Sequence, residues 1–179
     1  MLERSRRWMG YQGARLHFRR SHDPVRQFKQ SVSSARRLLL VLPFDTLPLP
    51  PAQKLVAFLT SRFAQENITV VTAEQHFAFS RLLPRAHVER LTPADCTVFL
   101  LPRGARMQEI VARPFDLAVD LNLDFVIPSG YICRESKAPV RVGFARPRAD
   151  LFFNFQIQRG ADTSREQAFD RLAQCLQMF

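Results

Sequence analysis

The chain has 179 residues, of which 46% are hydrophobic and 16 are Phe, and its formal net charge at pH 7 is +10. This length suits one domain with a full core, and the apolar share excludes an intrinsically disordered chain. No run of 18 apolar residues occurs, so the sequence predicts no transmembrane helix.

The positive charge is concentrated at the amino-terminal end. Residues 1–37 contain ten Lys and Arg against two acidic residues, which leaves the rest of the chain with a charge of only +2 out of +10. Such an asymmetry indicates an anionic partner and carries no information about the fold. We therefore predict a basic extension over residues 1–35 and a single domain over residues 36–179.

The basic segment mixes arginines with apolar residues in a pattern typical of one or two short helices. We expect interruptions near Gly10 and Gly13 and again at Asp23–Pro24, because Gly and Pro are poor helix formers. An Arg-rich, acid-poor segment is also typical of an organelle transit peptide. The predicted location is the cytoplasm, with an organelle matrix as the alternative if the segment is such a peptide.

Three interpretations of this segment stay open. Arginines interleaved with aromatic residues suit RNA or a ribonucleoprotein, since guanidinium groups contact phosphates and rings stack on unpaired bases. They also suit an anionic membrane surface. The third interpretation is that the rings pack on the domain and the arginines are solvated. The residues assigned to an anionic partner are Arg4, Arg6, Arg7, Trp8, Arg15, Arg19, Arg20, Arg26 and Lys29.

After residue 36, apolar patterns predict strands alternating with helices. The continuous run over residues 38–42 is typical of a central parallel strand covered on both faces. A Pro-rich turn and an amphipathic helix over residues 52–66 follow. The other predicted strands are 68–71, 87–91, 97–101, 117–121, 140–144 and, as a last strand or edge segment, 152–157; the other predicted helices are 74–83, 105–113, 129–137 and one that begins at the capping-box sequence 163–166.

This alternation predicts an α/β fold, a Rossmann-like three-layer sandwich with a mainly parallel sheet. In such a sheet, ligands bind outside the carboxyl ends of the strands. The residues predicted to line a ligand pocket there are Asp45, Arg103, Gly104, Asp120, Asn122 and Asp124.

Two hypotheses about these carboxylates have simpler alternatives. The trio Asp120, Asn122 and Asp124 suits a metal ion or sugar hydroxyls, but we favour Asp120 as a cap and the other two as solvent-facing. Asp45 is a weak candidate for a general base, which would need a pKa raised by burial. An ordinary turn aspartate is the commoner explanation, so we predict no catalytic residue.

Motifs of common cofactor and metal sites are absent from the sequence. It lacks GxGxxG, GxxxxGK[ST], HExxH, CxxC and GxSxG. Cys96, Cys133 and Cys175 form an odd, widely spaced set, which is typical of reduced thiols. We therefore predict neither a cofactor nor a metal site.

Four segments of the domain resemble one known family. They read RRLLLVLP, PAQKLVAFLTSRF, ITVVTAE and PFDLAVDLNLD…SKAPVRVGF. Together they resemble the N-terminal, acceptor-side half of the lipopolysaccharide heptosyltransferases (glycosyltransferase family nine, GT-B fold), over roughly residues 36–145. The resemblance implies half of a GT-B fold. The residues that carry its last block are Phe115, Asp116, Asp120, Ala138, Pro139, Arg141, Val142 and Gly143.

The sequence also departs from this family. Family members follow the first strand with a Gly-Asp pair whose aspartate is thought to be the catalytic base, whereas this loop reads PFDTLPLPPA. The donor site of the family lies in a C-terminal domain, and we expect no such half here. The predicted function is therefore a non-catalytic binding or assembly subunit with an anionic partner, RNA or ribonucleoprotein favoured. The alternatives are a subunit of a split glycosyltransferase, with Asp45 as base, and a membrane-surface scaffold.

Overall fold

The structure is a computed structural model that describes residues 2–21, 23, 28–44, 50–73, 83–160 and 164–178. The strands are β1 (Leu38–Val41), β2 (Ile68–Ala73), β3 (His87–Leu91), β4 (Leu117–Asp120), β5 (Val140–Phe144) and β6 (Phe155–Ile157). The helices are α1 (Leu2–Phe18), α2 (Phe28–Ser33), α3 (Pro50–Arg62), α4 (Gly104–Ile110), α5 (Ile127–Glu135) and α6 (Arg165–Gln177). Single 3₁₀ turns lie at Gln65–Asn67, Pro93–Asp95 and Ala149–Leu151.

The strands form one parallel sheet in the order β3-β2-β1-β4-β5-β6. The order reverses between β1 and β4, as it does in doubly wound folds that bind ligands at this point. Leu38 of β1 pairs with Ile68 on one side and with Leu117 on the other, so β1 lies at the centre of the sheet. The predicted Rossmann-like α/β class is confirmed.

Helices cover both faces of the sheet. Because neighbouring residues of a strand point to opposite faces, Leu38 and Leu40 pack with α2, α3 and α6, whereas Leu39 and Val41 pack with α1, α4 and α5. The strands are buried on both faces for this reason, and the uninterrupted apolar run of β1 is its direct signature.

The basic segment contributes one helix to each face. Helix α1 buries Gly10, Ala14 and Phe18 against the α4–α5 side, and α2 buries Val32 against the opposite side. The predicted interruption at Gly10 and Gly13 is wrong. These glycines instead let α1 approach the chain closely, because a Cβ on Gly10 would lie 2.1 Å from the carbonyl oxygen of Phe99.

The predicted strand over residues 97–101 is also wrong. The Thr97 amide donates to the Leu101 carbonyl at 2.8 Å, and the Leu100 amide donates to the Thr97 carbonyl at 2.9 Å. Leu100 has a φ of 64°, so the chain turns back on itself within this apolar run. The turn exposes Val98 and Phe99.

The remaining predicted elements agree with the structure within a few residues, with two qualifications. The predicted helix over residues 74–83 lies almost wholly outside the described residues. The capping box of α6 is formed by Ser164 and Gln167, one residue later than predicted: the Gln167 amide donates to Ser164 Oγ at 3.2 Å, and the Ser164 amide donates to Gln167 Oε1 at 3.0 Å.

We expect Gly10→Ala to destabilise the protein even though Ala is the better helix former. The added methyl group would collide with the Phe99 carbonyl, which belongs to the backbone and must move. Forced repacking of this kind costs about 1–3 kcal/mol, against a gain of about 1 kcal/mol in helix propensity.

Gly104→Ala is the matched control, because no atom lies within 4 Å of a Cβ at this first residue of α4. Its free energy of unfolding in urea should be unchanged or higher by up to about 1 kcal/mol. Equal stability of Gly10→Ala and the wild type would contradict the close packing of α1.

Candidate functional site

Asp120 is the last residue of β4 and lies fully inside the protein, with 1% of its surface exposed. One carboxylate oxygen accepts from the backbone amide of Asn122 at 3.0 Å and from its Nδ2 at 2.6 Å. The other accepts from Ser129 Oγ at 3.0 Å and from Arg146 Nη2 at 3.4 Å. A carboxylate offers about four acceptor positions, so these four hydrogen bonds saturate Asp120.

Asn122 links β4 to the end of β1. Its side-chain oxygen accepts from the Phe44 amide at 2.7 Å, and its Nδ2 donates to the Leu42 carbonyl at 3.2 Å. Buried backbone groups need partners, and those that follow β1 find them in this amide. Asn122 therefore joins the segments that follow β1 and β4, beside the point at which the strand order reverses.

Arg146 supplies the cation of the cluster from the segment after β5. It pairs with Asp120, and its side chain is only 8% exposed. The same guanidinium donates to the Phe144 carbonyl at 3.1 Å and to the Asp124 carbonyl, and it lies 5.9 Å from the centre of the Phe153 ring. Arg146 thus holds the ends of β4 and β5 together.

The electrostatics of the cluster have opposing contributions. Burial raises the pKa of Asp120 above its ordinary value, while the charge of Arg146 and the hydrogen bonds from Asn122 and Ser129 act in the opposite direction. Burial also raises the pKa of the neighbouring Cys133 thiol, so that thiol stays protonated. The arrangement suits a structural ion pair, since Asp120 has no acceptor position left for a substrate.

The structure brings only part of the predicted ligand pocket together. Asp120 and Asn122 meet, and the preference for a solvent-facing Asn122 is wrong because its amide bonds the chain after β1. Asp124 is exposed and contributes its backbone carbonyl only. Arg103 and Gly104 are exposed at the start of α4, where Arg103 donates to the Ala94 carbonyl at 3.0 Å.

Asp45 lies outside the described residues, so its proposed role as a base stays a prediction. The sequence analysis did not predict that Ser129 and Arg146 belong to this cluster. The predicted fold could have indicated both, because the start of the helix after β4 and the segment after β5 meet at the same edge of a parallel sheet.

The outward face of α1 presents a row of basic and aromatic side chains. Arg4, Trp8 and Arg15 follow one another at spacings of four and seven residues, which place side chains on one side of a helix, and Arg19 lies in the turn directly after α1. All four are exposed, and Trp8 leaves 52% of its surface in solvent. Within the described part of the chain, none of the three arginines forms a hydrogen bond or an ion pair.

The other residues assigned to an anionic partner behave differently. Arg6 donates to the Val98 carbonyl at 2.7 Å, and Arg7 pairs with Glu3 at 2.6 Å one turn earlier. Arg20 and Lys29 are exposed, and Arg26 lies outside the described residues. A second exposed row, Leu2, Met9 and Leu16, follows the heptad spacing of α1 on its solvent side.

Comparisons with known proteins identify no relative. No protein-family model matches the sequence, and neither a curated protein nor a solved structure matches it. The resemblance to heptosyltransferases accordingly remains a prediction from the motifs.

The described residues contain neither a candidate metal-binding group nor a candidate membrane-spanning helix. Among residues 2–21, 23, 28–44, 50–73, 83–160 and 164–178, no three His, Cys, Asp or Glu side chains are grouped so that they could hold a metal ion. No helix within these ranges is long and apolar enough to cross a membrane. Cys96, Cys133 and Cys175 are free cysteines, and Cys133 is buried.

The ion pair at the centre of the cluster predicts strong coupling between its partners. Arg146→Met and Asp120→Asn each leave one buried group without its partner, which costs about 3–5 kcal/mol. The double variant removes both charges, so its loss of unfolding free energy should be well below the sum of the two single losses.

Urea denaturation of the four proteins measures this coupling. Asp124→Asn is the control, because its carboxylate is exposed and its change should lie within about 0.5 kcal/mol. Additive effects of the two single changes would show that Arg146 and Asp120 act independently.

Proposed function

We propose that this protein is a non-catalytic binding or assembly subunit whose outward α1 face binds single-stranded RNA or a ribonucleoprotein. The observation that supports the proposal is the row of Arg4, Trp8 and Arg15 on one side of a docked helix, continued by Arg19 in the turn after it. Arginine contacts phosphate, and an exposed indole stacks on unpaired bases without regard to their sequence. The proposed interaction is therefore electrostatic with weak sequence preference.

The packing of α1 supports this function as well. The inward residues Gly10, Ala14 and Phe18 are buried, so the helix is held against the domain before any partner arrives. At 1.5 Å per residue, Arg4 and Arg15 lie about 17 Å apart along the axis. A preformed row of this length spares the entropy that a disordered basic tail would lose on binding.

The saturated hydrogen bonding of Asp120 argues for a binding role over catalysis. Its acceptor positions are filled by Asn122, Ser129 and Arg146, at the edge of the sheet where doubly wound enzymes bind ligands. A split glycosyltransferase would need a base other than Asp120, and Asp45 is the residue to test.

A second candidate partner is an anionic membrane surface. The observation that favours it is the exposed row Leu2, Met9 and Leu16, which lies beside the arginines of α1. A helix with this arrangement can lie in the interface with its apolar row among the acyl chains and its cations at the headgroups. Replacing these three residues by Ser should abolish vesicle binding and leave RNA binding intact.

The RNA proposal predicts a position-specific loss on charge removal. A triple variant, Arg4→Gln, Arg15→Gln and Arg19→Gln, should bind a short fluorescein-labelled oligouridylate at least about tenfold more weakly, with a salt slope lower by about 2, since each lost phosphate contact removes about 0.7. Trp8→Ala should weaken binding by about 1–3 kcal/mol and leave the salt slope unchanged.

The matched control removes the same number of charges elsewhere: Arg85→Gln, Arg159→Gln and Arg171→Gln, all at exposed positions. Fluorescence anisotropy across a range of salt concentrations compares the two triples. An equal loss of RNA affinity in both triple variants would show that binding depends on net charge alone and not on the α1 row. Absence of binding by the wild type would refute the RNA proposal. Binding to phosphatidylserine vesicles but not to RNA would select the membrane candidate.

A further inference from the structure

An open cleft of about 630 Å³ lies on the side of α1 that faces the domain, away from the Arg–Trp row. The end of α1, the end of α5 and the start of β5 form its walls. Four cationic side chains line it, together with the carboxylates of Asp23 and Glu135: Arg20, Arg134, Lys137 and Arg141. The cleft therefore has an excess of positive charge.

Arg141 lies at the bottom of this cleft, where hydrogen bonds hold its side chain in place. It is the second residue of β5, and its side chain is only 3% exposed. Nε donates to the Phe152 carbonyl at 2.9 Å and Nη1 to the Ala138 carbonyl at 2.8 Å. These bonds orient the guanidinium so that Nη2 points to the Asp23 carboxylate.

Arg134 approaches the same carboxylate from α5. Its Nη1 donates to the Asp23 oxygen that Arg141 also contacts, and its Nη2 donates to the Ser21 carbonyl at 2.7 Å. The Arg134 side chain is 10% exposed, and its guanidinium lies 5.9 Å from the centre of the Phe18 ring. Two nearly buried cations thus converge on one carboxylate oxygen.

Asp23 neutralises this arrangement only in part, because its single negative charge faces two guanidinium groups. Its side chain is also the most exposed of the three, at 36%. Burial alone would raise its pKa, but the hydrogen bonds from Arg141 and Arg134 outweigh burial and lower it. The other carboxylate, Glu135, bonds His17 Nε2 at 3.0 Å. Asp23 is therefore an ionised group that partly neutralises a strongly cationic position.

We propose that this cleft binds a phosphorylated small molecule, whose phosphate takes the place of the Asp23 carboxylate between Arg134 and Arg141. A phosphate group matches paired guanidinium groups in geometry and carries more charge than a carboxylate. The volume falls within the range of about 300–1,000 Å³ typical of small-molecule pockets. Lys137 and Arg20 at the walls provide further contacts for the ligand.

Two features set the expected affinity. Asp23 competes with the phosphate, and the carboxyl ends of α1 and α5 add partial negative charge on this side of the sheet. Binding by the wild type should accordingly be weak. Asp23→Asn keeps the shape of the side chain and removes the competing charge, so this variant should bind at least tenfold more tightly.

The test uses inorganic pyrophosphate as the probe and the full chain as the protein, by isothermal titration calorimetry at constant ionic strength. The expected results are tighter binding by Asp23→Asn than by the wild type and a several-fold weakening when Lys137→Gln is added. Because Lys137 is exposed, that second change should leave the melting temperature without ligand unchanged. Pyrophosphate should also raise the melting temperature of Asp23→Asn more than that of the wild type.

Two results would overturn the proposal. One is the absence of pyrophosphate binding by a folded Asp23→Asn protein, and the other is binding that is insensitive to Lys137→Gln. The proposal is independent of the RNA function, because the RNA assay changes Arg4, Arg15 and Arg19, none of which lines the cleft. Asp23→Asn with Lys137→Gln should bind oligouridylate as the wild type does.

Discussion

The side chain of Asn122 joins the ends of β1 and β4, where the order of the sheet reverses. Helices leave toward opposite faces at such a reversal, so the fold opens a crevice there. In this protein the amide of Asn122 lies beside that position and bonds Phe44 and Leu42, and Asp120 fixes the amide in turn. Arg146 then neutralises Asp120, which extends the network from β1 to the end of β5.

Arginine has two different roles in this Arg-rich chain. Arg141 and Arg146 are nearly buried, and each donates hydrogen bonds to backbone carbonyls and to one carboxylate. A planar guanidinium with five donors suits that task better than lysine. Arg4 and Arg15 point outward from α1 and donate no hydrogen bond to the described residues. Net charge alone does not distinguish the two groups, whereas burial does.

The sequence predicted the elements that a local pattern determines. The apolar run of β1 and the alternation of strands and helices were enough for the sheet, because right-handed crossovers leave few alternatives. The run over residues 97–101 misled us, since apolar content does not reveal that Leu100 takes a positive φ. The pairing of Asp23 with Arg141 spans 118 residues, and no local pattern indicates a contact at that distance.

The docking of α1 connects the two proposed sites. Its inward residues Ala14 and Phe18 pack in the core, and the ring of Phe18 contacts Arg134 of the cleft. A phosphate that displaces Asp23 would act on the chain just after this helix, where Ser21 bonds Arg134. Arg19 is the member of the outward row nearest to that point. Any coupling between the sites must therefore act through the last turn of α1, and Arg4 and Trp8 at the other end should be unaffected.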